Sequence, residues 1–170
     1  MVSKGQRILR HLFMPAWLVR KPYTSEVLDA IEAAVVASEK LHRGEIRVAI
    51  ESSVDLHAVL AEEPVRARAL AAFATLGVWD TADNSGVLIY ISPLEHQVEI
   101  VADRGVAACV PQEEWQAICS ALAAALARDE QRAGVVTAVE QVGLILARHF
   151  PLDADAAADV DELPNRPVFM

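Results

Sequence analysis

The chain has 170 residues, 54% of them hydrophobic and 23% charged, which is enough for one domain with a hydrophobic core and excludes a disordered chain. Thirty residues are Ala and only 5% are aromatic, a composition that favours closely packed helices over an all-β sandwich. The 15 Lys and Arg residues are outnumbered by 24 Asp and Glu residues, so the net charge is −9 and we expect no nucleic-acid partner, because an acidic surface repels a phosphate backbone.

The first 22 residues form a basic arm, with five Lys or Arg residues and no acid before Glu26. The apolar stretch at 12–19 contains Pro15 and is too short for a secretory signal or a membrane-spanning helix, so we expect a cytoplasmic protein. Two cysteines are too few for a disulfide framework, which fits the same compartment. The arm predicts a short basic helix that either packs on its own domain or contacts an anionic membrane or a protein partner. Its apolar face would consist of Ile8, Leu9, Leu12 and Phe13.

A helix followed by a strand is predicted after the arm. Thr24 or Ser25 can cap a helix that runs to about His42, a residue we expect to be solvated or to cap the helix end. After Gly44, residues 45–51 alternate polar and apolar side chains, which is the pattern of a strand with one buried face. The inner face of the helix is predicted to contain Val27, Leu28, Ile31, Val35 and Leu41.

A second helix and a hairpin follow the loop at 53–62. Pro64 begins a helix that ends at Leu76. A polar turn then leads into residues 87–91, whose five apolar side chains indicate a central strand buried on both faces. A short turn joins this strand to a third strand at 97–102, which makes the two an antiparallel hairpin. The inner face of the helix is predicted to contain Leu70, Phe73 and Leu76.

Two further helices complete the domain, one opened by Pro111 and one at 132–149. The order α-β-α-β-β-α-α predicts an α/β fold, a three-layer α/β/α sandwich with a small mixed central sheet, and we assign it to residues 23–150. Residues 151–170 are predicted to be an extended, acidic, Pro-containing tail whose charge is complementary to that of the basic arm. The apolar stripes are Trp115, Ile118, Cys119, Leu122 and Leu126 in the first helix and Val135, Val139, Val142 and Leu146 in the second.

The sequence patterns of the common catalytic sites are absent. There is no G-x-S-x-G, no Walker loop, no H-E-x-x-H and no C-x-x-C, and none of the five His residues has an acid at catalytic spacing. No catalytic residue is therefore predicted from these patterns.

Acidic and amide side chains are predicted to meet at one end of the sheet. Asp80, Asp83 and Asn84 directly precede the second strand. Asp103 directly follows the third strand, the antiparallel neighbour of the second. If the helix between the first two strands is a parallel crossover, Glu45 at the start of the first strand lies at the same end. Carboxylate and amide oxygens suit Ca²⁺ or Mg²⁺, so a metal site is one interpretation.

The same residues have a second interpretation as turn chemistry, because Asp and Asn commonly bond their own backbone in turns. Under that interpretation, Asp103 pairs with Arg104 or with a helix terminus. A third interpretation adds Arg104 as an anion-binding residue, so that a metal ion and the guanidinium together hold a phosphate.

These residues also carry a resemblance to a known family. Over roughly residues 24–151, the chain resembles the TPM domain family, which includes a thylakoid acid phosphatase and many bacterial proteins. The arm and the ending are similar to those of a short bacterial subgroup without a signal peptide or a membrane anchor. The matching segments are 44–48, 78–89, 98–105, Trp115 and 149–151.

The resemblance implies an α/β/α sandwich, in agreement with the prediction from the residues. It also implies Ca²⁺ binding in some members, at loops that correspond to the acidic residues, and a weak acid-phosphatase activity in the plant branch. Finally, it implies envelope-associated partners, among them LemA-type membrane proteins.

Three functions are therefore considered. The first is a divalent-cation-binding module, with Ca²⁺ favoured over Mg²⁺, that presents a surface to a protein partner near the cell envelope. The second is a metal-free adaptor that docks through residues 1–22 on an anionic membrane or a LemA-type protein. The third is a weak metal-assisted acid phosphatase, for which no nucleophile with a matched base is recognised in the sequence. We rank them in this order and lean against an enzyme.

Overall fold

The computed structural model describes residues 14–54, 56–152 and 162–170. The predicted helix of the basic arm lies outside these residues, as do four of the acids in the tail. The helices are α1 (Ala16–Arg20), α2 (Ser25–Glu39), α3 (Leu56–Leu60), α4 (Val65–Thr75), α5 (Arg104–Ala107), α6 (Gln112–Leu126) and α7 (Gln131–His149). The strands are β1 (Glu45–Ile50), β2 (Gly86–Ser92), β3 (Gln97–Ala102) and β4 (Val168–Phe169).

The strands form one mixed sheet in the order β3-β2-β1-β4. β1 and β2 are parallel, with Glu45 beside Gly86, and α4 lies in the connection between them. β2 and β3 form the predicted antiparallel hairpin, with Val87 beside Ala102. The starts of β1 and β2 therefore lie at the same end of the sheet as the end of β3, as the sequence order predicted.

Helices cover both faces of the sheet, which confirms the predicted three-layer α/β/α sandwich. α2, α6 and α7 pack on one face, and α4 packs on the other. The first core includes Ile46, Val48, Ile50, Val87, Ile89 and Ile91 of the sheet with Ile31, Val35, Trp115, Leu122 and Val139 of the helices. The second core includes Ala49, Leu88, Tyr90 and Val101 of the sheet with Val65, Ala69, Ala72 and Leu163.

Local signals explain where the long helices begin. The Thr24 hydroxyl accepts a hydrogen bond from the Val27 N–H, which confirms the predicted cap of α2. Pro64 and Pro111 stand directly before α4 and α6 in extended conformation. α2 ends at Glu39, earlier than predicted, because the chain turns and His42 then pairs with Pro151 in a β-bridge.

Several predicted side-chain positions were wrong. Leu41 and Leu70 are 60% and 48% exposed, respectively, instead of facing the core. In α4 the buried face consists of Val65, Ala69, Ala72 and the charged Arg68. The two alanines are small, so they leave room for the helix to pack on the sheet. The prediction that β1 has one buried face was also wrong, because all six of its residues are buried.

His42 is fully buried, so the expectation of a solvated residue was wrong. Its Nδ1 lies 2.9 Å from the Gly44 carbonyl oxygen and its Nε2 lies 2.9 Å from the Ser38 hydroxyl. Because a carbonyl oxygen only accepts, Nδ1 donates to Gly44, and Nε2 shares the second hydrogen bond with the Ser38 hydroxyl. Gly143 of α7 leaves room for this pair, since a Cβ there would overlap the Ser38 hydroxyl.

A buried ion pair joins α4 to the sheet. Glu51 directly follows β1 and is 3% exposed, and Arg68 of α4 is 8% exposed. The Arg68 Nε lies 2.6 Å from one Glu51 carboxylate oxygen and its Nη2 lies 3.2 Å from the other. The hydroxyls of Tyr90 and Ser92 donate to the same carboxylate. Burial and the bond to Glu51 raise the pKa of Tyr90, so this side chain is a neutral donor at physiological pH.

Residues 162–170 run along the side of β1 that faces away from β2, and we refer to them as the C-terminal strap. β4 belongs to this segment and pairs with β1 in parallel register. Within the described residues, none of the helices combines the length and the apolar character that crossing a membrane requires.

Candidate functional site

The predicted acidic residues surround the sheet end where β1 and β2 begin. The loop at 79–85 enters this end, and α5 starts there directly after β3. The Asp103 N–H donates to the Gly86 carbonyl oxygen at 2.9 Å, which fixes the end of β3 beside the start of β2. The hairpin therefore brings Asp103 next to the loop, although about 20 residues separate them in the chain.

Asp103 places a buried carboxylate at the start of α5. Only 6% of the residue is exposed. Its Oδ1 caps α5 by accepting a hydrogen bond from the Arg104 N–H at 2.7 Å. Its Oδ2 is buried and accepts no hydrogen bond from the described residues. A buried acceptor without a partner typically costs about 1–3 kcal/mol, and more when it is charged, so a water molecule or a cation at this oxygen would stabilise the fold.

Asn84 and α5 meet backbone to backbone beside Asp103. Asn84 has a φ of 51°, a left-handed conformation that Asn tolerates better than most residues. Its carbonyl oxygen accepts from the Gly105 N–H at 3.1 Å. A Cβ at Gly105 would lie 2.7 Å from that oxygen and 2.8 Å from the Asp83 carbonyl oxygen, so this approach requires glycine. The exposed Arg104 side chain donates to the Asn84 Oδ1 at 3.3 Å.

Three predicted ligands have other surroundings. The Asp83 carboxylate is exposed and lies 2.9 Å from the Arg43 guanidinium. Asp80 is exposed, and its N–H donates to the Gly77 carbonyl oxygen in a turn. Glu45 is 3% exposed, and its carboxylate accepts from the backbone of the C-terminal strap. In the described ranges, no three acidic, His or Cys side chains are grouped closely enough to hold a metal ion.

One acidic residue near the loop was missed by the sequence analysis. The Glu162 carboxylate accepts from the Ala82 N–H, with both oxygens within 3.2 Å. Glu162 had been assigned to an extended tail, and its position depends on the docking of that segment. No local pattern could have indicated this contact, since 80 residues separate its two partners.

Two side-chain oxygens at this end are candidate ligands. The Asp103 Oδ2 has no hydrogen-bond partner among the described residues, and the Asn84 amide oxygen accepts from Arg104. The Asp80 carboxylate is exposed. Carboxylate, amide and carbonyl oxygens are hard ligands that Ca²⁺ accepts in flexible geometry. Arg104 adds a positive charge beside the Asn84 amide oxygen, which favours an anion contact and works against a cation at the same oxygen.

The comparisons with known proteins agree with this architecture. Residues 24–144 match the TPM domain family. The chain belongs to the TPM domain family. The resemblance inferred from the sequence motifs is thereby confirmed, and the matched range includes β1, the 79–85 loop and the start of α5.

Two solved structures are similar to this TPM domain. The NMR structure of BA42 from the psychrophilic bacterium Bizionia argentinensis is 31% identical, with a TM-score of 0.74 over 86% of this chain and 94% of BA42. The N-terminal domain of cg2496 from Corynebacterium glutamicum is 18% identical, with a TM-score of 0.53 over 79% of this chain and 77% of that domain, and it supports the fold alone. No curated protein matches the chain.

Proposed function

We propose that this TPM domain is a divalent-cation-binding module, with Ca²⁺ as its ion, that presents the 79–85 loop to a protein partner. The observation that supports the ion most directly is the buried Asp103 Oδ2, which has no hydrogen-bond partner among the described residues. A cation bound there would satisfy this oxygen. It would also join the end of β3 to the loop through Asn84.

The residues fit Ca²⁺ better than an ion that needs a closed cage of carboxylates. Asp103 supplies one buried carboxylate oxygen, and Asn84 supplies an amide oxygen on a loop whose main chain packs against Gly105. Asp83 forms an ion pair with Arg43, and the Glu45 carboxylate accepts hydrogen bonds from the strap, so we do not include either residue among the proposed Ca²⁺ ligands. Ca²⁺ takes neutral oxygens and water readily, whereas Mg²⁺ demands a regular octahedron.

An exposed aromatic residue supports the protein-binding half of the proposal. Trp79 is the first residue of the loop and is 54% exposed, with its indole N–H bonded to the Ala74 carbonyl oxygen at 3.3 Å. Exposed Trp side chains are common anchors of protein interfaces. The partner class that the family resemblance implies is a LemA-type protein at the envelope, met from the cytoplasmic side.

The phosphatase alternative has less support. The two hydroxyls of the loop that precede β2, those of Thr81 and Ser85, are buried and bonded to backbone groups, so neither is placed as a nucleophile. Arg104 favours an anion contact but supplies no chemistry alone. The adaptor alternative rests on residues 1–22, of which 1–13 lie outside the described residues.

Thermal unfolding in EDTA, Ca²⁺ and Mg²⁺ tests the proposal. An ion at 100 times its dissociation constant stabilises a fold by about 2.7 kcal/mol. For a chain of this size, that corresponds to a rise of roughly 5–11 °C in the melting temperature. We expect Ca²⁺ to give this rise in the wild type and to give little or none in Asp103→Asn or Asn84→Gly.

The variants are chosen so that loss of binding is separable from loss of folding. Asn84→Gly keeps the positive φ without strain, and melting in EDTA reports whether each variant is folded. Glu140→Gln, an exposed change in α7, removes the same charge away from the site and should keep the full response. An unchanged Ca²⁺ response in Asp103→Asn, or no response in the wild type, would contradict the proposal.

A further inference from the structure

β1 contacts the C-terminal strap as a binding groove contacts an extended peptide. The Glu45 carboxylate accepts hydrogen bonds from the N–H groups of Glu162 and Leu163, each at 3.3 Å. These bonds satisfy a charge that is otherwise buried at the start of β1. They involve the main chain of the strap, so a segment of another sequence can make them as well.

The middle of the strap is held in the same manner. The Arg47 guanidinium donates to the carbonyl oxygens of Pro164 and Arg166. Arg47 is 8% exposed, and burial lowers its pKa, yet the guanidinium stays charged at physiological pH because its ordinary pKa is far higher. The side chains of Glu45 and Arg47 therefore bind peptide groups of residues 162, 163, 164 and 166.

The second half of the strap adds to the sheet. Val168 lies beside Ala49 and Phe169 beside Ile50 in parallel register. The Met170 N–H donates to the Ile50 carbonyl oxygen at 2.9 Å, and the Met170 carbonyl oxygen accepts from the Ser52 N–H at 2.8 Å. Pairing of an extended segment with an exposed sheet edge is a common mode of peptide recognition, in which main-chain bonds provide affinity.

Three side chains of the strap provide a sequence requirement. Leu163 is 6% exposed and packs in the second core, and Pro167 is also buried. The Phe169 ring meets the Tyr23 ring edge to face, with centroids 6.2 Å apart, and the Arg20 guanidinium lies 4.9 Å from its centroid. By contrast, Arg166 is exposed.

We propose that the side of β1 that faces away from β2 is a docking groove for an extended protein segment, and that the C-terminal strap is its intramolecular occupant. The partner is a protein that carries Leu, then Pro four positions later, then an aromatic residue two positions after that, and it displaces the strap. The family match covers residues 24–144 and does not include the strap. The groove does not require a bound cation, but the strap touches the 79–85 loop, where the Glu162 carboxylate accepts from the Ala82 N–H.

The strap and a free peptide compete for the same groove. A segment tethered to its own site has an effective concentration in the mM range, so the intact chain should bind a free peptide poorly. A protease recognition sequence inserted between residues 156 and 157 converts the tethered strap into a dissociable one without removing any part of the chain.

The probe is a fluorescein-labelled peptide of residues 162–170, measured by fluorescence anisotropy before and after cleavage. We expect the apparent affinity to rise on the order of 100-fold after cleavage, because the tether no longer raises the local concentration of the competitor. Circular dichroism before and after cleavage reports whether the domain remains folded.

Changes in the peptide leave the fold of the domain untouched. Leu163→Ala in the peptide should weaken binding at least about tenfold, since the side chain fills the core. Arg166→Ala, whose contacts with Asp29 and Glu32 are exposed ion pairs, should change affinity about fivefold or less.

Four results would overturn the proposal. The cleaved domain could unfold when the strap dissociates, which would make the strap an integral part of the fold. It could stay folded and take up no labelled peptide. The Leu163→Ala peptide could bind as tightly as the original peptide, which would show that the domain does not recognise the Leu163 side chain. A strap exchanged between copies would appear as a dimer of the intact chain on gel filtration and would contradict occupancy within one chain.

Discussion

Replacing Glu51 by Gln should destabilise the fold more than any single change of a surface charge. The carboxylate is 3% exposed and accepts from the Arg68 guanidinium and from the hydroxyls of Tyr90 and Ser92. The Gln amide has almost the same shape. It removes the negative charge, however, and directs N–H donors toward groups that are themselves donors.

The magnitude follows from the charge that remains. Arg68 is 8% exposed and would keep its positive charge without a full counter-ion. Removing one partner of a buried ion pair typically costs about 3–5 kcal/mol. At about 2–4 °C per kcal/mol for a chain of this size, the melting temperature should fall by roughly 6–20 °C.

The assay is thermal and urea unfolding at pH 7, followed by circular dichroism. Glu114→Gln is the matched control, because Glu114 pairs with Arg148 at 2.9 Å while both side chains are substantially exposed. An exposed pair of this kind contributes about 1 kcal/mol or less, so the control should melt close to the wild type.

A loss of less than about 1 kcal/mol in Glu51→Gln, similar to that expected of an exposed pair, would refute the reasoning. It would mean that another carboxylate replaces Glu51, and Glu95 is placed to do so, with an oxygen 3.6 Å from the Arg68 Nη2. The double variant Glu51→Gln, Glu95→Gln would then identify the substitute.

Two further predictions concern buried polar side chains. Burial raises the pKa of Cys119 to about 11, whereas Cys109 is exposed. At pH 8, iodoacetamide should therefore modify Cys109 and spare Cys119, whose thiolate fraction is about 10⁻³. Mass spectrometry measures the labelling. If the Cys109→Ser variant were labelled as fast as the wild type, the prediction would be wrong. His42→Phe should lower the free energy of unfolding in urea by about 2–4 kcal/mol, because the buried Ser38 hydroxyl and the buried Gly44 carbonyl lose their hydrogen-bond partner. His149→Phe is the control, and an equal loss of stability in both variants would contradict the argument.

The central part of the fold could be predicted from the sequence because its signals are local. A continuous apolar run defined β2, and a short turn required the antiparallel hairpin with β3. The apolar stripe of α7 was equally regular, and its four predicted residues are buried. Capping by Thr24 needed only residues three positions apart. Each of these features depends on neighbours in the chain.

Features that depend on distant partners were not predictable. The alternation in β1 indicated a solvated polar face, yet Glu45 and Arg47 are buried because the strap lies over them. β4 has two residues in a segment with two prolines, so no periodicity marks it. α1, α3 and α5 have five, five and four residues, too few to show a helical stripe.

The candidate site was predictable in position but not in detail. Topology placed the loop, Asp103 and Glu45 at one end of the sheet, and the register of the strands confirms this. The contacts within it are set by residues far along the chain, such as Arg43 beside Asp83. The metal ligands themselves stay a prediction.

The strap also affects what β1 can pair with outside the molecule. A sheet edge with free N–H and C=O groups is a template on which further chains can stack, and natural proteins commonly blunt such edges with short strands and proline. The described outer edge on this side is β4, which has two residues, and Pro164 and Pro167 before it lack the N–H that continued pairing needs. Whatever detaches the strap therefore exposes a strand rich in β-branched residues, and the protein would be expected to self-associate into larger particles unless a partner covers that edge.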